Sequence, residues 1–335
     1  MLQHFGVEPP EYAEDAGAQV KDIAFRRTAG VSGHISLKKA WELMKTENVM
    51  TLAVTSASDK LEGLIITGDI AESYMDVYDN HILSRARTQY KNIVETLNGT
   101  LLAGNEHAYF LRGKVVVATG SRDVIEECIE SDDLVIVGDR DETHICALEE
   151  NASCMVVTGG TQVSTQVLEM ANRRDCVVII TPYDTFTAAR LINQSMPIKY
   201  FMKKENFVTF DIDDYVDEVR EVMSKKRHRD FPVLDDQRRY LGMVSRRNLL
   251  NMHKKKLILV DHNEKSQAID GIEGAEILEI IDHHRLGSLE TMSPVFFRNQ
   301  PLGCTSTIVY QMYCESGIEI EEKIAGLLLL SLIHI

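Results

Sequence analysis

A duplication constrains this chain more than any other feature of its sequence. Shifted by 179 positions, two segments align without a gap. Met44 falls on Met223, Leu52-Ala53-Val54 on Phe231-Pro232-Val233, and Gly63-Leu64-Ile65 on Gly242-Met243-Val244, while Asp69-Ile70 falls on Asn248-Leu249. Each copy reads as an amphipathic helix (37–46; 216–225), a short apolar strand, a polar turn and a second strand. A polar residue then opens another helix. A match at this many positions without a gap points to an internal repeat rather than to chance.

Between the copies, over residues 80–196, the pattern changes. A helix is expected at 83–97, then apolar strands at 115–118, 134–137, 155–157 and 177–180. Helical stretches at 122–130, 162–172 and 184–193 alternate with them. Near-continuous apolar strands alternating with helices predict a parallel sheet covered on both faces. The turns Gly138-Asp139-Arg140 and Thr158-Gly159-Gly160 each follow a strand and precede a helix. Such a turn can cradle a phosphate, although a tight reversal of the chain is its commoner use.

Composition changes again at Lys254. Lys256-Leu257-Ile258-Leu259-Val260-Asp261 is an apolar strand ending in a carboxylate, followed by His262-Asn263-Glu264. Further on, residues 277–281 form a second apolar strand that ends in Asp282-His283-His284-Arg285. Two neighbouring strands would deliver Asp261 and His283 together at their carboxyl ends, where open α/β sheets build sites. Carboxylate and imidazole suit Mn²⁺, Co²⁺ or Mg²⁺ better than a thiolate-rich zinc site does. Asp282 is placed to orient an imidazole from behind.

Composition closes off other classes. The formal charge of −15 leaves no strong basic surface for a phosphate backbone, since 225–229 and 254–256 are short basic runs, so nucleic acid is not an expected partner. The six cysteines have no Cys-x-x-Cys spacing and several sit in apolar runs, which predicts free thiols in a reducing compartment. No basic-then-apolar leader opens the chain, and the longest apolar run, 325–335, falls short of the ~20 residues that span a bilayer. The expectation is a cytoplasmic protein with no membrane partner.

The β-β-α copies resemble CBS repeats, which work in pairs and often bind adenine nucleotides. In that family a hydroxyl residue followed three positions later by Asp or Asn holds the ribose. The second copy has Ser245-Arg246-Arg247-Asn248 there; the first departs, with Ile66 at the hydroxyl position, Thr67 one residue late and Asp69 in place. Arg229, Arg246 and Lys203 are the candidate cations for the nucleotide phosphates. Simple helix capping by Ser245 and Asn248 is the competing reading. The inserted segment resembles the DRTGG domain, which implies a spacer or dimer-forming role.

The last segment resembles the DHH phosphoesterases, and within them the family II, manganese-dependent inorganic pyrophosphatases. The residues that carry this are Val260-Asp261-His262-Asn263-Glu264, Ile281-Asp282-His283-His284-Arg285 and Gly303-Cys304-Thr305-Ser306-Thr307. The order CBS, DRTGG, CBS, DHH is that of the subgroup regulated by nucleotides. The resemblance implies a chain of α/β class: a remnant of a DHH part at 1–18, CBS repeats at 19–79 and 197–253, a DRTGG-like domain at 80–196 and a partial DHH parallel-sheet domain at 254–335. It implies that Asp261 bridges metal ions, that His283 ligates one, and that His284 touches a substrate phosphate as the catalytic histidine. Arg285 and Thr305 would also meet phosphate; ordinary N-capping explains residues 305–307 equally well.

The implied activity is hydrolysis of pyrophosphate with Mn²⁺, Co²⁺ or Mg²⁺, regulated by AMP, ADP or a dinucleoside polyphosphate, in a homodimer formed through the CBS repeats. The sequence reads as truncated at both ends, with His334 no replacement for a further metal-binding aspartate. The chain as it stands is therefore expected to hydrolyse nothing. The alternatives are a nucleotide sensor without catalysis and another DHH phosphoesterase.

Overall fold

A computed structural model describes the chain except for residues 1, 14, 76–78, 121, 252–253, 288, 292 and 334–335. His334 and the expected ends of the two repeats, around 76–79 and at 253, thus lie wholly or partly outside the described residues. The chain divides into two compact units, one of residues 1–26, 210–229 and 244–335, the other of 27–209 and 230–243.

In the second of these units the first repeat folds as its pattern demands. Ser36 caps the helix Leu37–Thr46 by accepting the Lys39 amide at 3.1 Å, and Leu37, Ala40 and Met44 form its buried stripe. The strand Thr51–Thr55 pairs antiparallel with Leu61–Ile66, and the helix Thr67–Met75 follows. Ala53 and Leu64 share a core with Leu234, Tyr240 and Met243 of the other copy. Two contacts join a residue to its own repeat counterpart: Thr51 Oγ1 donates to Asp230 Oδ2 at 3.0 Å, and Lys60 bridges Arg239. Equivalent residues meet only near a local two-fold axis, so the duplication is also a structural symmetry.

The insert carries a five-stranded sheet in the order Thr100–Ala103, Val177–Ile180, Cys154–Val157, Leu134–Val137, Val115–Val117. The last four are mutually parallel and the first is antiparallel to its neighbour. Every residue of Leu134–Val137 and Cys154–Val157 is fully buried, the signature of a sheet covered on both faces.

Two local expectations are corrected, and a third segment takes the commoner of its two readings. The helix expected over 83–97 is two helices, Ile82–Arg85 and Tyr90–Thr96. Arg87 turns left-handed at φ 54°, Thr88 sends its hydroxyl to the Leu83 carbonyl at 2.8 Å, and Thr88–Gln89 pairs with Tyr109–Phe110 instead of continuing the helix. The helix after the second strand of the second repeat is a single 3₁₀ turn, Asn248–Asn251. The Thr158-Gly159-Gly160 turn is a reversal and not a phosphate cradle. Both glycines are left-handed, and their amides already donate to the Tyr183 and Thr181 carbonyls at 2.8 and 2.9 Å.

In the other unit, Gln19 bridges Tyr215 ahead of the helix Val216–Lys225, and Ala18, Ile23 and Val216 pack together. The segment after Lys254 forms a three-stranded parallel sheet in the order Lys256–Val260, Glu276–Asp282, Phe296–Asn299. Leu259, Ile272 and Ile280 make its core, and the helices Thr305–Ser316 and Glu322–Ile333 follow. No helix among the described residues is long and apolar enough to cross a membrane.

The buried strands of the insert should dominate its stability. Ile136→Ala removes a fully buried side chain and is expected to cost ~2–5 kcal/mol in chemical denaturation. Val117→Ala, at a position 41% exposed on the edge strand, should stay within ~0.5 kcal/mol.

Candidate metal centre and nucleotide-binding elements

Parallel pairing sets the geometry of the candidate metal centre. Val260 lies opposite Ile281, so the chain leaves both strands at the same edge, Asp261 from one and Asp282-His283-His284 from the other. Asp261 is left-handed at φ 70° and its amide still donates to the Ile281 carbonyl at 2.9 Å. Its carboxylate is thereby turned out of the ladder direction and towards the neighbouring strand end. Ligand atoms of Asp261, His283 and His284 all lie within 4.8 Å of one another.

Each histidine is held by one nitrogen. His283 Nδ1 lies 2.9 Å from the Leu302 carbonyl, which can only accept, so Nδ1 carries a proton and in the neutral ring the lone pair is on Nε2. That Nε2 is 3.4 Å from Asp261 Oδ1. His284 Nδ1 lies 2.8 Å from Asp282 Oδ1, which fixes its proton in the same way. A carboxylate beside imidazole lone pairs whose far nitrogens are tied to acceptors is the donor set a divalent ion takes. The residues present therefore fit a metal ion.

Asp282 is fully buried and organises the turn. Its Oδ1 accepts from the His283 and His284 amides at 2.7 and 3.1 Å, and Asn263 Nδ2 donates to its Oδ2. Burial pushes this carboxyl up, but the hydrogen bonds from His284, His283 and Asn263 outweigh burial and hold it below its ordinary range. Two phosphate candidates are otherwise engaged. Thr305 Oγ1 donates to Asp261 Oδ1 at 2.6 Å, so its hydroxyl steadies the aspartate. Arg285 Nε donates to Glu264 Oε1 at 3.1 Å from an exposed position. A cavity of about 220 Å³ beside the centre is lined by Asn263, Glu264, Gln267, Asp282, His284 and Arg285. Asn263 and Glu264 stood in the sequence pattern without a role; the alternation of the strands gave no sign that their side chains turn back into the site.

The nucleotide candidates form one device used twice. Asp69 Oδ2 accepts the Ile66 amide at 2.9 Å, and Asn248 Oδ1 accepts the amide and hydroxyl of Ser245 at 2.8 and 2.7 Å. Asp69 is buried and pairs with Lys203 at 3.2 Å; Asn248 Nδ2 donates to the Ala24 carbonyl at 2.7 Å. Thr67 opens the helix Thr67–Met75, its amide donating to Met50, and Arg229 is exposed. Arg246, expected at a phosphate, instead sends its guanidinium to the carbonyls of Met223, Lys226 and His228 at the end of the helix Val216–Lys225. Unsatisfied carbonyls at a helix C-terminus attract a cation, which accounts for this arginine.

Comparison with known proteins identifies two of these parts by family. The DRTGG domain family matches residues 92–195 and the CBS domain family residues 198–254. The cobalt-dependent inorganic pyrophosphatase of Clostridium perfringens is 40% identical over 328 residues, 98% of this chain and 60% of that protein. A probable manganese-dependent inorganic pyrophosphatase of Thermotoga maritima is 36% identical over 329 residues, with the same two coverages. The chain thus spans about 60% of the length of these relatives. The solved CBS and DRTGG domains of the regulatory region of Clostridium perfringens pyrophosphatase, in complex with the activator diadenosine tetraphosphate, match with a TM-score of 0.66 at 36% identity. That match covers 68% of this chain and 100% of the other. Duplicated CBS repeats around a DRTGG sheet, ahead of a parallel sheet that gathers Asp261, His283 and His284, place this chain in the CBS- and DRTGG-containing group of metal-dependent family II inorganic pyrophosphatases.

Proposed function

We infer that the chain is the sensing region and part of the catalytic domain of an enzyme that hydrolyses pyrophosphate to two phosphates under control of adenine nucleotides. The observation that carries the catalytic half is the gathering of Asp261, His283 and His284 within 4.8 Å at one sheet edge. Asp261 and His283 would hold divalent ions, Mn²⁺ or Co²⁺ by the chemistry of the donors and the dependence of the two relatives. Such ions supply a water of lowered pKa and polarise the phosphoryl group. Thr305 holds Asp261 in place and the Leu302 carbonyl holds the His283 ring. His284, half exposed at the cavity and braced by Asp282, is the side chain placed to meet a substrate phosphate.

The regulatory half rests on the paired repeats and on the diadenosine tetraphosphate that activates the solved relative. Asn248 with Ser245, and Asp69 with Thr67 beside it, are the ribose candidates, with Lys203 and Arg229 as cations for phosphate. Ligand binding would shift the packing equilibrium of the catalytic part by as much as its affinities for the two states differ. We place the protein in the cytoplasm, where buried thiols such as Cys146, Cys154 and Cys176 stay reduced. The homodimer would form on the first repeat. Leu37, Trp41, Ile70, Tyr74 and Met75 line an apolar cleft of about 630 Å³ there, with Trp41, Tyr74 and Met75 substantially exposed.

For this chain taken alone, a sensing role is favoured by the ligand count. The described residues hold one candidate cluster of three groups, fewer than a pair of ions requires.

Calorimetric titration with AMP, ADP and diadenosine tetraphosphate should give saturable binding by at least one. Asn248→Ala should weaken it about tenfold if the amide meets ribose, about 1.4 kcal/mol; unchanged affinity would mean the side chain only caps the turn. The chain should bind Co²⁺, lose that binding in Asp261→Ala and His283→Ala, and release negligible phosphate from pyrophosphate. Robust turnover would refute the ligand count. Sedimentation velocity should show a dimer that Trp41→Glu converts to monomer; an unaltered dimer would move the interface elsewhere.

A further inference from the structure

Asn263 is buried, 4% exposed, beside the ends of the two central strands. Both ends of its amide are used. Nδ2 donates to Asp282 Oδ2 and to the Arg285 carbonyl at 2.9 Å, while Oδ1 accepts the Gly287 amide. Gly287 admits no side chain: a Cβ there would lie 2.7 Å from Asn263 Oδ1 and 2.4 Å from Glu264 Cγ. The 285–287 loop therefore clamps Asn263 from one side and aims its NH₂ group at Asp282.

Among the described residues, Asn263 is the donor to the Asp282 carboxylate that comes from outside the Asp282-His283-His284 triplet. An aspartate at 263 would set two carboxylates face to face. A leucine of similar size would leave a buried carboxylate oxygen without a donor, which is strongly unfavourable. Only an amide can donate to Asp282 and the Arg285 carbonyl while accepting from Gly287.

We propose that Asn263 is a positioning residue of the metal centre. By occupying Oδ2 of Asp282 it leaves Oδ1 to the amides of 283 and 284 and to His284 Nδ1, and so fixes the His284 ring with its proton on Nδ1 and its lone pair on Nε2. The catalytic meaning of this rests on the pyrophosphatase reading; the geometry of the triplet does not depend on the substrate.

The metal-free, ¹⁵N-labelled chain supplies the test, because long-range ¹H–¹⁵N spectra show which imidazole nitrogen carries the proton. Since loss of the clamp can disturb the loop, the unaltered chain is measured first. Neutral His284 is expected as the Nδ1–H tautomer, and finding Nε2–H overturns the proposal before any substitution is made. Asn263→Ala, and Gly287→Ala pushing on the same amide from the opposite side, should mix the two tautomers. Each should also weaken Co²⁺ binding, followed by visible absorption, by about 10–100-fold with the far-UV circular dichroism unchanged. Folded variants that keep both the tautomer and the Co²⁺ isotherm of the unaltered chain would remove Asn263 from this role. If the unaltered chain binds no Co²⁺ while His284 is Nδ1–H and Asn263→Ala mixes it, the hydrolase reading fails and the positioning of His284 stands.

Discussion

The candidate metal centre depends on one buried anion. Asp282 has no solvent exposure, and an unpaired carboxylate in that position would be far too costly to keep charged. It stays charged because backbone amides of its own turn, the His284 ring and the Asn263 amide converge on it. Those hydrogen bonds bend the chain sharply at the end of a strand and set two consecutive imidazoles side by side, 4.2 Å between ring centroids. The histidines are thus placed by a carboxylate that need not touch metal or substrate. A second constraint, the parallel register of Val260 with Ile281, then brings Asp261 to meet them.

The paired repeats depend on symmetry of a different kind. A repeat can diverge freely where its copies do not touch, but residues on the local axis must fit their own counterparts. Thr51 against Asp230 and Lys60 against Arg239 are such positions, and Leu64 and Met243 share one core. The polar pair at 51 and 230 satisfies a buried hydroxyl that an apolar residue at 230 would deprive of this acceptor.

Much of this was legible before any coordinates, and the limits have physical causes. The helices Leu37–Thr46 and Val216–Lys225 and the strands Leu134–Val137 and Val177–Ile180 end where the apolar period ends, because packing against a core decides both. The meeting of Asp261 and His283 was legible because neighbouring parallel strands deliver their end residues to one sheet edge. The break at Arg87 was not, since it follows from a threonine hydroxyl reaching back to Leu83 and from pairing with distant Tyr109–Phe110. Periodicity carries no trace of such a contact. The contacts of Arg246 and Thr305 were not legible for a related reason: a side chain's chemistry tells what it can bind, but not which neighbouring group the fold brings to it.

That rule also explains why the two copies carry different residues at positions 69 and 248. Residues 69 and 248 do the same first task, accepting the amide at the end of the second strand. Their remaining atom meets the other copy at equivalent places, since 203 and 24 are themselves separated by 179. Asp69 meets a lysine side chain at 203, so a second oxygen is required; Asn248 meets the Ala24 carbonyl, so an NH₂ group is required. Exchanging the two residue types would set an amide NH₂ against an ammonium in one copy and a carboxylate against a carbonyl in the other. The acid–amide difference therefore follows from what each copy presents at the facing position.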